Sequence, residues 1–348
     1  MNAADDGARL LDVLRGNAPA DLTPDRLDPL LPLAAAHGLV GVVYEALLRH
    51  PNAFPEWKRA ADEIEVTTRL QLKAAEELAA ALDDKKVDAV FVKGVALALS
   101  VYPRLGLRSF SDLDLLMQPE SVRDAHAVLT QLGFAMRDEP PGSIEVGYVR
   151  EKLPGFRVCI DLHWDFTAAD SVQAAVRIPV AEVLRRRRTV KNIPIPADED
   201  SLLLAAANLA RKTVEPVMLV VDFARLIGRP LEWERVGECA STWGLRTPLW
   251  LGMTLAGKLL AAPAPAPVLE TITPPKWRAD WLESMLAGEQ LWQSGKHEAW
   301  RYRLLFKLLC LDSWWHVLPM LTAVPRNLLR KAGLSGAPSG RLLLQPRG

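Results

Sequence analysis

The 348-residue chain sets 42 lysines and arginines against 42 aspartates and glutamates, and its hydrophobic fraction is 49%. Such a length buries a substantial core and allows more than one domain, while the zero net charge excludes a broad electrostatic pull toward nucleic acid or an anionic membrane. Cys159, Cys239 and Cys310 are too few and too scattered for a disulfide framework or a zinc site, which points to a reducing, cytoplasmic setting.

The N-terminus lacks the basic-then-apolar layout of a signal peptide. The apolar stretch 304–324 is broken by Lys307, Asp312, His316 and Pro319, so no membrane span is expected. Residues 7–50 predict helices, with Leu10, Leu11 and Leu14 on one stripe. A longer amphipathic helix is expected over 55–84, with Ile64, Leu70, Leu72, Leu78 and Leu82 apolar; together they form an N-terminal helical layer, 1–86, packed on a sheet. The sheet region, 87–197, starts with a strand at 88–93, a helix at 95–101 and a strand at 112–117. Pro119 then begins and Gly133 ends a helix that buries Ala125, Val128, Leu129 and Leu132. A short strand at 134–138 precedes a hairpin of 144–151 and 156–163, joined through Leu153-Pro154-Gly155.

Beyond a helix at 178–184, the arginine run 185–188 reads as a solvated face. A helix over 198–212 opens on Asp198-Glu199-Asp200, acids suited to its N-terminal dipole. Helices at 216–227, 231–243 and 247–260 complete a helical domain, 198–262. The proline–alanine stretch 261–267 reads as a stiff linker into a tryptophan-rich helical region, 275–333, with Trp292, Trp300, Trp314 and Trp315 as core or interface, and a loose tail from Ser335. The fold class is α+β: a small mixed sheet flanked by N-terminal helices and a C-terminal helical domain.

The chemistry gathers in residues 91–117. An apolar strand ends in Lys93-Gly94, and a loop carrying Arg108 and Ser111 leads to Asp112 and Asp114. Alternation along the strand puts both carboxylates on one face, with Leu113, Leu115 and Met117 in the core. Two like charges on a half-buried strand repel, and desolvation adds to the cost of ionising both. A divalent cation such as Mg²⁺ relieves that burden. In the later strand Cys159, Asp161 and His163 share a face, and Val158, Ile160 and Leu162 take the other. Gly94 either lets a phosphate approach backbone N–H groups or is an ordinary tight-turn glycine.

Lys93-Gly94, Tyr102-Pro103, Arg108, the Asp112-Leu113-Asp114 strand and Asp161-Leu162-His163-Trp164 together resemble the bacterial "nucleotidyltransferase family protein" group. That group belongs to the DNA polymerase β-like nucleotidyltransferase superfamily, and the resemblance runs from about residue 30 to about 260. It implies that Asp112, Asp114 and Asp161 hold two Mg²⁺ ions, with Asp161 completing the acceptor-side site or taking the acceptor proton. An NTP would lie against Lys93, Gly94, Arg108, Ser111 and His163. Ser111 otherwise satisfies local backbone groups, Arg108 is otherwise a solvated loop arginine, Lys93 an ion-pair partner of an aspartate, and His163 structural. Gly94-Val95 stands where many of the wider superfamily carry Gly-Ser or Gly-Gly, which leaves phosphate contacts to the backbone, Lys93 and Arg108. Asn208, Arg211 and Lys212 lie where relatives often carry a histidine, and Asp222 resembles a recurring aspartate, read here as a salt bridge to a helix neighbour.

The implied activity is transfer of NMP from an NTP to a hydroxyl, amine or phosphate of a small molecule, peptide or protein. Such genes often accompany peptide or polysaccharide biosynthesis, so a peptide or sugar acceptor comes first. The alternative is a regulatory or antitoxin-like binding protein with a vestigial or partner-modifying nucleotide site. Balanced charge disfavours a nucleic-acid polymerase or tailing enzyme.

Overall fold

The computed structural model describes residues 3–137, 145–165, 175–212, 217–292 and 300–313. Five strands form one sheet: β1 (Ala89–Val92), β2 (Leu113–Met117), β3 (Ala135–Met136), β4 (Glu145–Leu153) and β5 (Phe156–His163). Their spatial order is β1-β2-β5-β4-β3. β2 pairs antiparallel with β1 and parallel with β5, and the remaining pairs are antiparallel. The architecture is therefore the expected α+β one, a mixed sheet with helices around it. The parallel pairing requires a crossover, which the helix Val122–Gln131 begins.

Every residue of β2 is buried, because both of its faces are covered. On one face Phe91, Leu113, Leu115, Met117, Ile160 and Leu162 meet Leu72, Leu78 and Leu82 of the helix Pro55–Asp84 and Val122, Ala125 and Leu129 of the crossover helix. Leu113, Leu115 and Met117 thus point into the core, as alternation requires. On the other face Val90, Val92 and Leu116 join a larger core with Leu202, Leu209, Phe223 and Leu249, from the helices Asp198–Lys212, Met218–Ile227 and Arg246–Leu260. The short helices Ala3–Leu14, Leu31–Ala36 and Val40–Leu47 feed Leu10, Ala34 and Val43 into that same core. Within the N-terminal layer, then, the long helix supplies the face packed on the sheet, and the shorter ones bind to the C-terminal helices.

Several boundaries move. β2 begins at Leu113, so Asp112 sits in the loop entering the strand, and the helix after β1 begins at Lys93. Residues 138 and 144 of the expected strands lie outside the described residues. The proline–alanine linker is shorter than expected, because Ala266–Ile272 is helical; Pro267 in its first turn loses no intrahelical hydrogen bond there. Of the tryptophan-rich region, Lys276–Met285 and Trp300–Leu309 are helices and Trp292 is buried; Trp314, Trp315 and the tail from Ser335 lie outside the described residues.

The arginine run is a solvated face only in part: Arg185 and Arg187 are exposed, whereas Arg186 and Arg188 are half-buried. It leads into a hairpin, β6 (Arg188–Val190) and β7 (Ile193–Ile195), whose two-residue turn places Lys191 and Asn192 at φ of 47° and 62°, the left-handed pair that matches strand twist. The chain reversal brings Arg186 and Arg188 back to the acidic first turn of Asp198–Lys212, while Arg187 pairs with Asp88 at 2.9 Å. Arg186 reaches Asp200 at 2.8 Å and Arg188 pairs with Asp198, so the helix opening is held by fixed cations. Among the described residues, no helix is long and apolar enough to cross a membrane.

Candidate active site

The β2–β5 register sets Asp114 directly beside Asp161, and Asp112 stands on the same side one pleat earlier. One carboxylate oxygen from each of Asp112, Asp114 and Asp161 lies within 4.8 Å of the other two. Asp114 is buried, and its neighbours are half-buried. Burial pushes the carboxyls of Asp112 and Asp161 upward, and proximity to Asp114 pushes both further in the same direction. Three hard oxygen donors in so small a volume fit a hard divalent cation, which needs such ligands and relieves such repulsion.

Positive groups ring the acids. Lys93 Nζ donates to Asp114 Oδ1, and His163 Nε2 lies 2.8 Å from the same oxygen. Burial raises the Asp114 carboxyl, but Lys93 and His163 outweigh it and hold the group well below the usual carboxylate range. His163 is itself buried. Its Nδ1 lies 3.1 Å from Glu145 Oε2, so the ring bridges two carboxylates; against burial and Lys93, these partners raise its pKa. Arg137 donates to Asp161. At the C-terminal end of its helix the exposed Lys212 feels Asp112 and Asp114, yet partial desolvation by its surroundings, together with Arg211 and Lys93, lowers its pKa.

Lys93 reaches Asp114 from a backbone at φ +54°, the left-handed region that costs a non-glycine residue about 1–3 kcal/mol. The next residue, Gly94, is not the left-handed member of this turn. A Cβ on it would stand 2.4 Å from Phe110 Cβ, so the glycine lets the loop before Asp112 pack on the start of the helix. Close packing, rather than the turn itself, explains the missing side chain. Ser111 is exposed and hydrogen-bonds the Asp112 carboxylate.

Arg108 is turned the other way. Its Nε lies 2.9 and 3.1 Å from the two oxygens of Asp222, its Nη2 lies 2.9 Å from Oδ2, and its Nη1 donates to the Ser109 carbonyl. Tyr102 donates its hydroxyl to Asp222 Oδ1 at 2.7 Å. Asp222 is fully buried. The salt bridge expected of Asp222 exists, but its partner is the loop arginine rather than a helix neighbour. Arg108 is neither solvated nor directed at the acids; it ties the loop that presents Asp112 to the helical domain. Asn208 and Lys93 line a small cavity beside this pair, of about 20 Å³.

Arg137 and Glu145 escaped the sequence reading. Both belong to the β3–β4 side of the sheet, and Glu145 faces His163 only through the β4–β5 register. The one local signal was Gly147 inside a strand: Arg137 lies over it, where a Cβ would overlap the guanidinium.

No curated protein matches the chain. The family model described as "Uncharacterised nucleotidyltransferase" matches residues 23–261, a span that contains the whole sheet, the three converging carboxylates and Asp222. The chain belongs to that uncharacterised nucleotidyltransferase family.

Proposed function

We propose that the protein transfers NMP from an NTP, with Mg²⁺, to a hydroxyl, amine or phosphate on a small molecule, peptide or protein. The observation that carries this reading is the meeting of Asp112, Asp114 and Asp161 within 4.8 Å. Divalent ions bound by that set would stabilise charge on the attacking and leaving oxygens of an in-line displacement at the α-phosphate. Asp112 and Asp114 would hold the donor side, and Asp161, its carboxyl raised by burial, would complete the acceptor-side site or accept the acceptor proton. Lys93 and Lys212 bring positive charge to the same acids, where a triphosphate needs it. His163, held between Asp114 and Glu145, fixes the Asp114 carboxylate.

A second reading, regulatory binding through a vestigial site, is favoured by the engagement of Lys93 with Asp114 and Arg108 with Asp222. The two readings separate on two measurements, labelling and calorimetry. The protein is incubated with each labelled NTP, Mg²⁺ and cell extract, and the labelled product is identified by mass. Labelling that disappears in Asp114→Ala supports transfer. Undiminished labelling removes Asp114 from the mechanism, and no heat on titrating Mg·ATP leaves the regulatory reading.

A further inference from the structure

A second concavity, of about 830 Å³, lies among the helices and away from the three acids. Its volume is within the range of small-molecule sites. Val13 of Ala3–Leu14, Val42 of Val40–Leu47 and Val221 of Met218–Ile227 give it an apolar floor, each of them buried.

The rim is charged, and unevenly so. Three guanidiniums line it, those of Arg15, Arg49 and Arg225, against one carboxylate, that of Glu45. Two of the three are committed. Arg15 Nε donates to the Leu259 carbonyl at 2.8 Å and Nη2 to the Lys258 carbonyl at 3.2 Å, capping the end of the helix Arg246–Leu260. Arg225 pairs with Glu45 at 2.9 Å and stands over the Tyr102 ring, 5.6 Å from its centroid. His50 adds no charge in this arrangement. Its Nδ1 accepts the Asn52 N–H at 3.1 Å, so Nε2 carries the proton and donates to the Pro19 carbonyl at 2.9 Å, the neutral tautomer. Arg49 is exposed at the rim and makes no ion pair or hydrogen bond among the described residues.

An apolar floor beneath a net-positive rim, with one uncommitted guanidinium, selects for a compact apolar body carrying an anionic head. We propose that this cleft binds a small amphiphilic anion, with its carboxylate or phosphate on Arg49 and its hydrocarbon portion over Val13, Val42 and Val221. Glu45 already occupies Arg225, which leaves Arg49 as the guanidinium that takes the head. The assignment does not depend on the nucleotidyl-transfer reading, because none of the three acids lines the cleft.

The test is calorimetric titration of the full chain with decanoate and with decyl phosphate, below their micelle concentrations, with decylamine as the cationic control. Saturable one-to-one binding of either anion is expected, and the tighter of the two names the head group. Arg49→Glu should weaken it about tenfold or more. Ala46→Trp, which fills the cleft from Val40–Leu47, should abolish it, with circular dichroism and the thermal midpoint confirming that both variants fold. Absence of saturable binding, equal affinity for decylamine, or binding indifferent to both substitutions would overturn the assignment.

Discussion

The Arg108–Asp222 pair offers the sharpest energetic test of the fold. Asp222 is fully buried and accepts from Arg108 through two guanidinium nitrogens and from Tyr102 at 2.7 Å. Asp222→Asn preserves volume but strands a guanidinium whose side chain is only 12% exposed. An uncompensated buried charge costs about 3–5 kcal/mol, a large share of the 5–15 kcal/mol that holds a typical domain together. Tyr102→Phe, which removes one hydrogen bond to a charged acceptor, should cost about 1.5–3 kcal/mol. Replacing both partners by apolar residues, Arg108→Met with Asp222→Leu, should cost less than the single Asp222→Asn, because neither charge is left alone. Urea unfolding followed by circular dichroism reads these as shifts of midpoint at constant slope. A loss below about 1 kcal/mol for Asp222→Asn, the value of a solvent-exposed pair, would refute the reasoning.

Three smaller perturbations test other parts of the structure. Gly94→Ala should destabilise by about 1–3 kcal/mol through the clash with Phe110 Cβ, and a double-mutant cycle with Phe110→Gly, which removes that atom, should show strong coupling; strict additivity would deny the contact. Among the described residues the buried Ser201 hydroxyl has no hydrogen-bond partner, so Ser201→Ala should be neutral or stabilise by up to about 1 kcal/mol, and a clear loss of stability would mean that the hydroxyl is satisfied. Glu77 accepts from Arg150 at 2.8 Å and Lys152 at 3.2 Å; the Arg150 hydrogen bond, against burial and with help from Lys152, holds its carboxyl below the ordinary range. Its stabilising contribution is therefore full above the unfolded value of about 4.3 and fades as pH falls through the lower folded value. The stability gap between the wild type and Glu77→Gln should accordingly narrow in acid, and a gap that widens there would contradict the sign.

What the sequence disclosed followed from local periodicity. Alternation in 112–117 and 156–163 identified the faces carrying Asp114 and Asp161, and the acidic opening of Asp198–Lys212 marked its start. Pairing across long intervals stayed hidden. Arg108 and Asp222 are 114 residues apart, and nothing local distinguishes a buried guanidinium from a solvated one. Glu145 became part of the site only through the register that sets it opposite His163, and Arg137 only because Gly147 leaves room beneath it. Arg186 and Arg188 of the arginine run were misread for the same reason. Their charge looked like solvation until the chain reversal at the β6–β7 hairpin brought it to Asp198 and Asp200.

The central claim is that Asp112, Asp114 and Asp161 act together on divalent metal beside a triphosphate. Electron paramagnetic resonance of Mn²⁺ titrated into the protein with a non-hydrolysable NTP analogue measures that directly. Protein-bound Mn²⁺ should appear for the wild type, vanish in Asp114→Ala and fall in Asp161→Ala, both still folded by circular dichroism. Equal Mn²⁺ binding by the wild type and both variants would contradict it.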